Sequence, residues 1–133
     1  MSEVDLPTPR DEYLRGVDAL LESRLDDAIR HLAPPADAGH AEAVLALAKT
    51  HLQRGEGAEA HGRLASLLTE PPSDPGFHAY LLLLSASAVA LMGRFEDALT
   101  LLGYVARVDP RMELAARSLR RRLEKGRPPV VCF

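Results

Sequence analysis

Proline and glycine cut this chain into short lengths of similar size, and that punctuation constrains the fold more than any other feature. Breaks fall at Ala33-Pro34-Pro35, Arg54-Gly55-Glu56-Gly57, the loop from Glu70 to Gly76, Met92-Gly93, Asp109-Pro110 and Gly126-Arg127-Pro128-Pro129. The segments between them are rich in Ala, Leu, Arg and Glu, which are strong helix formers. Valine, isoleucine and the aromatics do not alternate as strands require. Seven helices are expected, over about 9–22, 25–33, 38–54, 57–69, 77–92, 95–107 and 111–125. Ser73 and Asp74 can cap a helix starting near Pro75, and Asp109-Pro110 supplies a cap and a first-turn proline for the last helix. Connections this short force antiparallel neighbours, so the helices form hairpins.

The hairpins resemble one another. Arg24 to Ala28, Gly55 to Ala60 and Gly93 to Ala98 each follow a tight turn with an acidic first helical turn, suited to the helix dipole, and then an alanine. Alanines Ala28, Ala60 and Ala98 recur near the period of a helix-turn-helix solenoid. The longer second interval contains the proline-rich loop 70–76. A small residue at these positions lets two helix backbones approach while large side chains interdigitate around it. Leucine there would overpack the hairpin by roughly 1–3 kcal/mol.

On these residues the chain resembles the tetratricopeptide repeat family. The third unit carries Ala86, Gly93, Phe95, Ala98, Leu102 and the closing Pro110. The first carries Gly16, Leu25, Ala28 and Leu32. The second carries Ala48, Gly55, Ala60 and Leu64, with Gly57 where the family has a large residue. The resemblance implies an all-α fold: a right-handed α-solenoid of three hairpins plus a C-terminal capping helix. It divides the chain into a flexible N-terminus at 1–8, a single domain at 9–125 (repeats at about 9–36, 38–72 and 76–110, capping helix 111–125), and an apolar tail at 126–133.

In this family the first helix of each repeat lines a concave groove. Carried over, the partner-binding positions are Tyr13, Val17 and Leu20 in the first unit, Leu45, Lys49 and Leu52 in the second, and Tyr80, Leu83, Ser87 and Leu91 in the third. Most are apolar, and an apolar groove suits an amphipathic helix or an extended apolar segment. The family's clamp for a C-terminal carboxylate is missing: its positions hold Tyr13, Val17, Ala46, Tyr80 and Leu84, with only Lys49 basic nearby. The implied role is a protein-protein interaction module. The chain is also similar, in length and three-repeat layout, to small chaperones of type III secretion systems. The alternative is a structural module that assembles with itself as a homodimer through its groove or its tail.

Composition narrows the field further. At 133 residues, 47% apolar and 26% charged, the chain can bury a core as one domain. A net charge of −3 argues against a basic nucleic-acid coat protein. The most apolar window, Ala79 to Met92, is shorter than the roughly 20 residues a membrane helix needs. The polar, acidic start carries no leader pattern, so a cytoplasmic location is expected. No histidine or cysteine pair stands at metal spacing, and neither a phosphate loop nor a nucleophile elbow is present. No enzyme activity, cofactor or metal is therefore expected.

Charge is segregated. Residues Arg107 to Arg127 carry eight basic and three acidic side chains, while the remainder carries eight and sixteen. Arginines near a helix C-terminus complement its dipole and give an outer face polarity, which is favoured here over phosphate or nucleic-acid binding. The chain then ends in four apolar residues, with Val130, Val131 and Phe133 as candidates for self-contact. Docking in cis or across a dimer is the favoured reading of that tail.

Overall fold

Thr8 starts the first helix with a reciprocal cap: its hydroxyl accepts from the Asp11 amide and the Asp11 carboxylate accepts from the Thr8 amide. The computed structural model describes residues 8–129. Seven α-helices follow in these residues: α1 (Pro9–Leu21), α2 (Leu25–Asp37), α3 (Ala41–Gln53), α4 (Gly57–Leu68), α5 (Pro75–Leu91), α6 (Phe95–Val108) and α7 (Glu113–Glu124). A single 3-10 turn, Pro110–Met112, leads into α7. No strand is present among the described residues.

Each helix packs chiefly on its neighbours in the chain, and α1 also touches α3 as α3 touches α5. This is the layout of an all-α helical repeat, in which hairpins stack side by side. Its hairpin turns are one motif used three times. Ser23, Gly55 and Gly93 have φ of 60°, 76° and 80°, the left-handed region. The next amide reaches back to the helix before it: Arg24 to the Ala19 carbonyl, Glu56 to His51 and Arg94 to Val89, at 2.8–2.9 Å. Gly126 ends α7 in the same way, with φ of 71° and the Arg127 amide on the Arg122 carbonyl.

The small residues do what the sequence requires of them. Ala28, Ala60 and Ala98 are wholly buried, and so are Ala48 and Ala86 on the facing helices. Gly16 is the first repeat's counterpart: an added Cβ would run into the side chain of Leu32. Gly57, which departs from the family pattern, allows a close approach of α4 to α5, where a Cβ would meet the Ala88 carbonyl and the Leu91 side chain. Around these contacts Leu32, Leu47, Leu64 and Leu81 are fully buried. Each such leucine contributes about 1.5–3 kcal/mol of transfer free energy.

Three helix bounds differ clearly from expectation. α2 runs through Pro34 and Pro35 to Asp37, instead of ending at residue 33. Pro35 and Ala36 are buried, and the two proline carbonyls accept the amides of Ala38 and His40, so packing carries the helix about one turn past its expected end. α3 starts later than expected, because His40 caps it: its Nδ1 accepts from the Ala43 amide at 3.2 Å. α5 begins at Pro75 under the Asp74 cap, two residues before the expected start, with the carboxylate accepting from the Phe77 amide at 2.9 Å.

Candidate functional site

α1 and α3 lie side by side, and their facing residues recur at helical spacing. Tyr13, Val17, Leu20 and Leu21 come from α1; Glu42, Leu45, Ala46 and Lys49 come from α3. Together they line a mainly apolar cleft of about 160 Å³. Five of the ten expected groove residues therefore converge: Tyr13, Val17, Leu20, Leu45 and Lys49.

The cleft has a polar frame. The Tyr13 ring stacks on His40 with centroids 5.4 Å apart. Burial pushes the Tyr13 phenol above its ordinary pKa, and the nearby Glu42 carboxylate, which is also its hydrogen-bond partner, pushes it the same way. Arg10 opposes the shift. Behind α1, Glu12 holds the His31 ring of α2 at 2.9 Å. At the other end Lys49 Nζ lies 5.0 Å from the centre of the Tyr80 ring, a cation-π contact that joins α3 to α5.

The remaining expected residues lie deeper or farther along. Leu52 is buried in the cluster formed by Ala60, Leu64, Leu81 and Leu84, against which Tyr80 and Leu91 are partly buried. Leu83 is partly buried against the cluster of Ala86, Val89, Ala98 and Leu102. Ser87 is buried, and its hydroxyl donates to the Leu83 carbonyl at 3.2 Å. Val130, Val131 and Phe133 fall outside the described residues.

His40 is the contributor that sequence reasoning missed. Histidine is a rare helix cap beside Ser, Thr, Asp and Asn, so its ring acceptor gives little signal in a sequence. Elsewhere His51 Nδ1 lies 2.8 Å from Glu56, whose carboxyl that contact and Arg54 hold below its ordinary pKa, against the opposing effect of burial. No group of three metal-capable side chains occurs among the described residues. No helix there is long and apolar enough to cross a membrane.

Stacked helical hairpins with repeated turns and small-residue contacts define a class of helical-repeat protein whose repeats serve protein-protein contact. Residues 19–84 match the model of the tetratricopeptide repeat, from late α1 into α5, and the chain belongs to that family. No curated protein and no solved structure matches it significantly.

Proposed function

We propose that this chain binds an apolar segment of a partner protein, helical or extended, along the face shared by α1, α3 and α5. The observation that carries the reading is the cleft of Tyr13, Val17, Leu20, Leu45 and Lys49. At about 160 Å³ it is small for a free metabolite, whose pockets run to roughly 300–1,000 Å³. It suits one apolar anchor side chain of a longer segment. Tyr13 adds area at low entropic cost, and Lys49 places a positive charge beside the apolar floor. A small chaperone of the type III secretion kind would use such a face to cover an aggregation-prone segment of its client.

The test is purification of the full chain from its host, with light scattering and mass spectrometry of the complex. The double variant Tyr13→Ala/Lys49→Glu is expected to keep its helical circular dichroism and lose the stoichiometric partner. A folded variant that still carries the partner would remove the groove assignment.

Self-assembly through the tail is a second reading. Arg122 Nε donates to the Pro128 carbonyl at 3.1 Å, which anchors the base of the tail on α7. Deleting residues 128–133 should then convert a dimer to a monomer, and an unchanged mass would exclude this route.

A further inference from the structure

Two helices far apart in the chain present exposed faces of opposite charge, each with a leucine in it. On α1 the outward stripe holds Leu14 and Leu21, 45% and 68% exposed, with exposed Asp11, Asp18 and Glu22 beside them. On α7 it holds Leu114, 75% exposed, followed by Ser118, Arg121 and Lys125 and flanked by Arg117 and Arg122. With Arg127 these α7 residues line an open cleft of about 370 Å³ that has no acidic side chain in its lining. Arg117 is paired with Glu113 at 2.7 Å, whereas Arg121 and Lys125 have no acidic partner among the described residues.

We propose that these faces bind each other between copies, α7 of one chain on α1 of the next, head to tail. The surface borders the Tyr13–Lys49 groove at Leu21, which lines both, but uses neither Tyr13 nor Lys49. The registers match. Leu14 and Leu21 are seven residues apart, as are Leu114 and Arg121, so each pair spans two turns on one face. Laid antiparallel, Leu21 meets Leu114, Asp18 meets Arg117 and Ser118, Leu14 meets the aliphatic stem of Arg121, and Asp11 meets Lys125. Copies of one α7 face would repel each other, so pairing of α7 with α7 is disfavoured and the contact of α7 with α1 selected. A heterologous contact that does not close into a ring grows into open oligomers. Two basic residues oppose the register, Arg10 beside Asp11 across from Lys125 and exposed Arg15 between Asp11 and Asp18, and Glu22 is already paired with Arg24 at 2.9 Å.

Sedimentation velocity over a concentration series tests this. The wild type should form oligomers of increasing size at about 10 mM salt and be monomeric at about 1 M, where the screening length falls from about 30 to 3 Å. Arg121→Glu/Lys125→Glu and Asp11→Lys/Asp18→Lys should each stay monomeric at low salt, and an equimolar mixture of the two should associate again. Arg10→Glu should lower the dissociation constant several-fold. The groove variant Tyr13→Ala/Lys49→Glu should associate like the wild type. A wild type that is monomeric at every concentration in low salt would overturn the proposal. So would oligomers that survive both reversals, including any lost only on deletion of residues 128–133.

Discussion

The first and third hairpins use one framework to different ends. Both place a wholly buried alanine, Ala28 or Ala98, five residues beyond a left-handed turn residue. The third hairpin then closes on itself. Helix α5 buries Ala79, Ala86 and Val89 against α6, and α7 adds Ala116, Leu119 and Leu123 to the same cluster. The first hairpin leaves Tyr13, Val17 and Leu20 facing a cleft instead. Framework positions set where helices lie, and the residues between them decide whether a face is filled from within or left for a partner.

That contrast can be broken at the alanines. Ala98→Leu and Ala28→Leu should each lose stability, in the range of about 1–3 kcal/mol. The enclosed third hairpin should lose more than the first, whose neighbouring cleft gives room to relax. Urea unfolding measures both, and equal losses would erase the distinction. The two glycines of α4 come next. Gly57→Ala places a methyl against the Ala88 carbonyl and should cost about 1–2 kcal/mol. Gly62 has open space around it, so Gly62→Ala should stabilise by about 0.5–1 kcal/mol.

A smaller effect separates the turns. Ser23 holds φ of 60° where the other two hairpins use glycine. Ser23→Gly relieves that conformation but gives the unfolded chain more freedom, leaving a net gain of about 0.5 kcal/mol or less. A lower urea midpoint would show that Ser23 is not strained. The smallest effect lies in the alkaline range. The Tyr13 phenol is raised in the folded chain, chiefly by burial. Its contribution to stability is therefore fully present below the unfolded pKa and is lost as pH rises through the folded one. Ultraviolet titration of the wild type against Tyr13→Phe should show that the phenol lost in the variant ionises above the ordinary tyrosine range.

Much of the framework was legible because steric demands have few solutions. A left-handed turn asks for glycine, as at Gly55 and Gly93, and a close helix crossing asks for alanine, as at Ala60 and Ala98. Aspartate before proline marked the starts of α5 and the last helical segment. Less legible were features set by tertiary contact. The prolines at 34 and 35 read as a stop, yet burial of Pro35 and Ala36 extends α2 past them. His40 capping depends on one ring nitrogen, which composition does not reveal. The groove was legible in part: the family resemblance put Tyr13, Val17 and Leu45 in one groove, but it did not separate these from Leu52 and Ser87. Leu52 is buried by residues of α4 and α5 that close over it.

Hydrogen exchange on the complex purified from the host tests the central claim most directly. Partner binding at the cleft predicts added protection of the amides in 13–21 and 42–49, lost with the partner in Tyr13→Ala/Lys49→Glu while the α5–α6 hairpin keeps its protection. Protection confined to α7, or unchanged at 13–21 and 42–49 when a stoichiometric partner is bound, would contradict it.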